Sequence, residues 1–152
     1  MAKAICNTLP VTIRRARDDE LETCAELYER AGTAAFTWRP KNWFKAADFL
    51  RFAKSEEIYV AVARGAILGI LAFFRPQDFI HCLYVDPAAQ GFGIGTALLK
   101  AAEKFTDGPL SLKTDEANTR AHEFYARHGF VPEGETGVDH GVRWIRLKQT
   151  SV

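Results

Sequence analysis

The sequence is short of cysteine, of net charge and of long apolar runs. Cys6, Cys24 and Cys82 are odd in number and far apart, and no Cys-x-x-Cys pair occurs. That points away from a disulfide framework and from a cysteine zinc site, and a reducing, cytoplasmic setting is expected. Twenty Lys and Arg stand against nineteen Asp and Glu, leaving a formal net charge of +1. No global field draws such a chain to nucleic acid or to an acidic membrane, so neither is expected as a partner. Residues 1–10 lack the apolar region of a secretory signal. The longest apolar run, residues 66–74, falls far short of the ~20 residues that cross a bilayer as a helix. No pair of histidines has metal-ligand spacing, so no metal is expected.

What is present is ordinary in bulk and informative in pattern. The 152 residues, 47% hydrophobic and 26% charged, are expected to form one domain over 1–152 that buries a core without staples. A strand is predicted at 11–15. Asp18 and Asp19 open a helix whose Leu21, Cys24, Ala25, Leu27 and Tyr28 recur at helical spacing, and Gly32 is expected to end it. An irregular stretch with Phe36 and Trp38 follows. Asn42 is expected to cap a second helix reaching Lys54, with Trp43, Phe44, Phe49 and Leu50 on its apolar face. Strands at 58–63 and 67–74 flank a hairpin turn at Arg64-Gly65, and 79–85 is a third strand. Beyond it come a helix to about Phe105, a strand at 110–113, a helix at 118–128 and strands from Val131 and from His140. The order predicts an α/β fold with a mixed α+β sheet: an antiparallel meander, then β-α-β crossovers.

The densest signal is Gln90-Gly91-Phe92-Gly93-Ile94-Gly95-Thr96, set between the third meander strand and a helix. Glycines let the backbone approach a ligand closely, and the first amides of a helix point outward unpaired. An anion, phosphate or pyrophosphate, is the natural occupant. Two familiar readings fail on spacing. A Walker loop needs Lys after its last Gly, and here Thr96 follows Gly95. A dinucleotide loop needs Gly-x-Gly-x-x-Gly, and the last place falls on Thr96 or Leu98. The remaining pattern, Gln-x-x-Gly-x-Gly, resembles the acyl-CoA pyrophosphate loop of the GCN5-related N-acetyltransferase (GNAT) superfamily. A second segment, Asn118-Thr119-Arg120-Ala121-His122-Glu123-Phe124-Tyr125-Ala126-Arg127-His128-Gly129-Phe130, is similar to that family's other signature, Asn-x-x-Ala-x-x-Phe-Tyr-x-x-x-Gly-Phe. The two occur in the family's order, one crossover apart.

The resemblance implies a central sheet that splays beside the third meander strand, with acetyl-CoA as cosubstrate. It implies that the backbone of Leu83, Tyr84 and Val85 pairs with the pantetheine arm. Gln90, Gly91, Phe92, Gly93, Ile94, Gly95 and Thr96 would hold the pyrophosphate. Asn118 would bond the pantetheine or the sheet edge, and Tyr125 would sit near the sulfur. It also implies a homodimer as one assembly open to the chain, with the last strand from His140 onward free to pair or exchange.

Attack of an amine on a thioester needs positioning, a neutral amine, an oxyanion donor and a proton for the departing thiolate. The oxyanion donor can be a backbone amide that the splayed strand leaves free. Tyr125 is the candidate acid; its bland reading is a ring packed between helix and sheet. His81 is the candidate base, since strand alternation puts Phe79, His81, Leu83 and Val85 on one face. Its position resembles that of a base histidine in arylalkylamine N-acetyltransferases; its bland reading is a pocket wall. Phe36 and Trp38, with Trp43 and Phe44, either wall the acceptor site or belong to the core, and Trp38 is expected to be the more functional. Asp115 and Glu116, at a strand end, either meet a cationic amine or cap the next helix. Cys82 is expected in the core, and His122, His128, Lys100 and Lys104 on solvated faces. The expected activity is direct acetyl transfer to a primary amine on a small molecule. A protein N-terminus or lysine as acceptor is the alternative, and a non-catalytic acyl-CoA-binding module is a further one.

Overall fold

A computed structural model describes residues 9–150; Cys6 lies outside them. Eleven main elements follow in order: β1 (Thr12–Arg15), α1 (Leu21–Ala35), α2 (Ala46–Phe52), β2 (Glu57–Ala63), β3 (Ala66–Phe74), β4 (Phe79–Val85), α3 (Ile94–Glu103), β5 (Ser111–Asp115), α4 (Thr119–Arg127), β6 (Phe130–Asp139) and β7 (Val142–Gln149). The seven strands form one mixed sheet in the order β1-β2-β3-β4-β5-β7-β6. Every pairing is antiparallel except β4 with β5. Among the described residues no helix is long and apolar enough to cross a membrane.

Both faces of the sheet are covered, which explains the unbroken apolar run in β3. Leu71 and Phe73 point to one core with Ile94, Leu98 and Leu99 of α3 and Tyr125 of α4. Ile70 and Ala72 point to the other with Cys24 and Leu27 of α1 and Phe49 of α2. The hairpin turn fell where expected. Arg64 and Gly65 both take positive φ, 52° and 76°, which matches the twist of the flanking strands.

Three helix boundaries moved for physical reasons. A 3-10 turn, Asp18–Glu20, leads into α1; there the Glu20 carboxylate accepts from the Arg17 amide at 2.8 Å, and no side chain, neither Asp18 nor Asp19, caps α1 itself. Gly32 does not end α1, which runs on to Ala35. Its missing side chain makes room for the Phe44 ring, whose Cγ lies 2.5 Å from where a Cβ would stand. The second helix starts at Ala46, four residues after Asn42, so Trp43 and Phe44 sit in the connection. Gly32→Val is expected to destabilise by about 1–3 kcal/mol through overpacking, or roughly 2–4 °C of Tm for each kcal/mol. Thermal unfolding checks this; an unchanged Tm would mean that Phe44 moves aside freely.

The last strand is not an edge. β7 pairs with β5 on one side and β6 on the other, so β6 carries the edge at that end of the sheet.

Candidate active site

The site exists because β4 and β5 part company. They pair only at Phe79 with Ser111 and Ile80 with Leu112. Beyond that point the facing backbone groups of β4 have no strand partner, and a cavity of about 930 Å³ opens between β4, β5 and α4. Its walls include His81, Leu83, Tyr84 and Val85 of β4, the turn after it, and Asn118 and Tyr125.

One end of the cavity is the glycine turn. Gly91 and Gly93 take φ of 85° and 78°, values that only glycine adopts cheaply. Gly93 is the N-cap of α3, and no atom lies within 4 Å of where a Gly91 Cβ would be. The amides of Ile94, Gly95 and Thr96 precede the first intrahelical bond, from the Ala97 amide to Gly93. Gln90, Gly91, Gly93, Ile94, Gly95 and Thr96 line the cavity. Phe92 does not: its carbonyl accepts from Leu9, and its side chain is exposed. Gln90 turns inward and donates to the Val85 carbonyl at 3.0 Å, so that orphan acceptor of the splayed strand is satisfied from within the chain. Asn118 spends its carbonyl on the Ala121 amide as the cap of α4. Thr96 meets His128 Nε2 at 3.4 Å. His128 is part-buried, and burial, then Lys100, holds it below its ordinary value. His122 is also part-buried, against the Asp115 carbonyl at 3.2 Å. Neither histidine stands on a solvated face.

Tyr125 occupies the middle. Its ring packs on Phe124 and Phe130, and its hydroxyl has no hydrogen-bond partner among the described residues. Burial pushes the phenol well up, so it holds its proton at neutral pH. Tyr84 is raised too, chiefly by burial, and its ring faces the other way, stacked on Tyr28 at 5.4 Å. Its backbone is paired with Ile70 of β3, so the free polar groups of the splayed edge belong to Leu83 and Val85. Cys82 is buried, and burial followed by the Glu56 charge pushes its thiol up, which disfavours the thiolate an acyl-cysteine route needs.

His81 lies where alternation did not put it. The β3–β4 register jumps from Ala72–Cys82 to Phe73–Ile80, so His81 is the extra residue of a bulge. Ile80 consequently joins the core of Leu83 and Val85. His81 leaves that face and packs on Phe52 of α2, with ring centroids 4.2 Å apart. Its Nδ1 lies 2.7 Å from Oε2 of Glu56. A carboxylate only accepts, so Nδ1 carries the hydrogen and Nε2 is left with its lone pair. The Glu56 side chain is only 9% exposed. Nothing in the local sequence marked it; the pair spans twenty-five residues.

The other end of the cavity is aromatic and charged. Phe36, Trp43 and Phe44 line it. Trp38 does not; its indole N–H instead donates to Asp115 at 3.0 Å. Asp115 is buried and takes a two-pronged bond from Arg39, Nε and Nη2 each at 2.9 Å. Glu116, by contrast, is a surface acid paired with Arg143 at 3.1 Å. Among the described residues no three His, Cys, Asp or Glu side chains cluster as a cation would need.

The profile of the Acetyltransferase (GNAT) family matches residues 15–130, from the end of β1 to the first residue of β6. The chain belongs to the GNAT family. With membership comes acyl-CoA-dependent N-acetyltransferase activity. An uncharacterized N-acetyltransferase of Methanocaldococcus jannaschii is 30% identical over 90% of this chain, which spans 65% of that relative's length. The N-alpha-acetyltransferase RimI of Mycobacterium tuberculosis is 33% identical over 84% of this chain and 83% of RimI. The crystal structure of the PaiA N-acetyltransferase from Thermoplasma acidophilum, in complex with coenzyme A, has the same GNAT fold. Its TM-score is 0.74 over 94% of this chain and 100% of that one, at 17% identity. The open space at Gly91, the free amides of α3 and the partnerless edge of β4 all fit an acyl-CoA.

Proposed function

We propose that the chain transfers an acetyl group from acetyl-CoA straight to a primary amine, with His81 as base and Tyr125 as acid. The observation that carries this is the single cavity joining the glycine turn, the Tyr125 hydroxyl and His81. Acetyl-CoA supplies a thioester carbonyl and a sulfur that leaves as thiolate. The turn amides of Gly93, Ile94, Gly95 and Thr96 bind its pyrophosphate, and the open edge of Leu83 and Val85 aligns the arm; the Val85 carbonyl is shared with Gln90. His81 Nε2 takes a proton from the amine as the new N–C bond forms. Tyr125 gives its proton to sulfur as the C–S bond breaks. A backbone amide of β4 that the splay leaves without a strand partner stabilises charge on the carbonyl oxygen. Glu56 is a positioning residue: it holds the ring and the tautomer through Nδ1, as a carboxylate does in other His-based sites.

The acceptor is read as a small amine, because Phe36, Trp43, Phe44 and the buried Arg39–Asp115 pair wall its end of the cavity. The likeness to RimI favours a peptide N-terminus as the second reading, and assays of free amines against peptides separate the two. Free, buried Cys24 and Cys82 support a cytoplasmic location.

The base is tested by substitution. His81→Gln is expected to lower kcat/KM by about 10²–10⁴-fold. Glu56→Gln should lower kcat by roughly tenfold with acetyl-CoA affinity unchanged. Steady-state kinetics of both variants that match the parent's would remove His81 and Glu56 from the chemistry.

A further inference from the structure

The connection between α1 and α2 folds Arg39 back over the end of β5. Its guanidinium lies above the Trp43 ring, 4.4 Å from the centroid, and its side chain is only 6% exposed. Nε and Nη2 are spent on Asp115. Nη1 is buried and has no hydrogen-bond partner. The nearest carboxylate oxygen, Asp139 Oδ2, stands 3.9 Å away, beyond hydrogen-bond range. Its other oxygen is engaged by His140 Nδ1 at 2.7 Å. Buried donors are rarely left unpaired, and this one belongs to a permanent cation.

A second cation faces the same space. Lys113 stands two residues before Asp115 on the same face of β5, with Nζ 4.2 Å from the centroid of Trp144. No carboxylate lies within ion-pair distance of it among the described residues. Arg39, Lys113, Asp115, Asp139, Val138 and Trp144 enclose a side pocket of about 410 Å³. Trp144 can lie across it because the opposing residue is Gly137, where any side chain would collide with the indole ring. Asp115 is paired with Arg39 and bonded by Trp38, which leaves half-exposed Asp139, bonded on one oxygen by His140, as the pocket's other acid. Arg39, Lys113 and Asp115 line this pocket and the main cavity alike, so a molecule can reach from one into the other.

We propose that the acceptor is an amine that also carries a carboxylate, and that Arg39 Nη1 and Lys113 receive that carboxylate. The inference rests on the acyl-transfer reading for the other end of the molecule. A planar carboxylate completes the open edge of a guanidinium with matched geometry. An uncharged tail leaves Nη1 unpaired, and that difference is the source of discrimination. A phosphate would bring a second negative charge against Asp139, so the singly charged group is favoured.

The test compares glycine, 4-aminobutyrate and 6-aminohexanoate, each against its own carboxamide, on the acetyl-CoA-loaded chain. CoA release reads turnover. Tryptophan fluorescence reads binding independently, because all three tryptophans, Trp38, Trp43 and Trp144, surround Arg39, Asp115 and Lys113. At the best spacer length the acid is expected to beat its amide by roughly 10–100-fold in kcat/KM and in the fluorescence titration. Lys113→Met should lower the acid-to-amide ratio, and Asp139→Asn, which removes a competing carboxylate, should raise it. Both sites are at the surface, so neither variant depends on rebuilding the Arg39–Asp115 pair. Acids and amides acetylated alike, or a ratio that falls in Asp139→Asn, overturn the inference and leave acetyl transfer standing. Discrimination in fluorescence without any turnover upholds the pocket and sinks the acetyl-transfer reading. Indifference in both readouts overturns the inference.

Discussion

Tyr125→Phe is expected to lower kcat by about 10²-fold or more while acetyl-CoA binding and Tm stay near the parent's. The ring of Tyr125 does the packing, edge-on to Phe124 and Phe130 with centroids 5.1 and 5.3 Å away, and Phe keeps all of it. What is lost is one hydroxyl that has no hydrogen-bond partner among the described residues, on a side chain that lines the cleft. Burial holds the phenol above its ordinary value, so it is protonated throughout the neutral range and able to donate. The same dry surroundings raise the cost of a bare thiolate, which makes the missing proton matter more. A loss in kcat with little change in the acetyl-CoA thermal shift is the signature of an interaction made only in the transition state. Steady-state kinetics with any accepted amine decides it. A kcat within twofold of the parent would return Tyr125 to a packing role.

The second large effect is on binding. Gly95→Val is expected to weaken acetyl-CoA binding by about 30–100-fold, or roughly 2–2.7 kcal/mol, which lies within the usual range of overpacking penalties, without unfolding the chain. Gly95 lies in the first turn of α3 with no positive φ, so a side chain there is not strained. Its Cβ would rest in ordinary contact, 3.6 Å from Leu83 Cδ2 and from the Phe124 ring. Both of those side chains line the cleft, so the new methyl groups intrude on the space for the arm. The parent at 100 times its dissociation constant should gain about 2.7 kcal/mol, or roughly 5–10 °C in Tm at this size. The variant, at the same ligand concentration, should gain only about 1–3 °C, from an unliganded Tm close to the parent's. A full shift in the variant would mean that the arm does not pass between Leu83 and Phe124.

The sequence by itself determined the features whose causes are local. The hairpin at Arg64-Gly65, the strand Phe79–Val85 and the turn at Gly91 and Gly93 all rest on neighbours a few residues apart. A positive φ, a period of two or 3.6, or a cap bond needs no distant partner. The two signatures around Gln90 and Asn118 combine such signals, and so the family and its cosubstrate were legible without coordinates. The tertiary structure decided whatever depends on residues far apart in the chain. The bulge that turns His81 from Leu83 toward Phe52 comes from the register of β4 on β3, and one extra residue reverses a face. Glu56 meets His81, and Arg39 with Trp38 meets Asp115, across separations of 25, 76 and 77 residues. Such pairs leave no periodic trace in the sequence. Gly32 reads as a helix stop until Phe44 is seen in the space it leaves. Trp38 reads as a pocket wall until its N–H is found on Asp115. The glycine-turn end of this cavity is written in backbone conformation, which local sequence controls. The aromatic end is written in side-chain meetings, which only the packed chain creates.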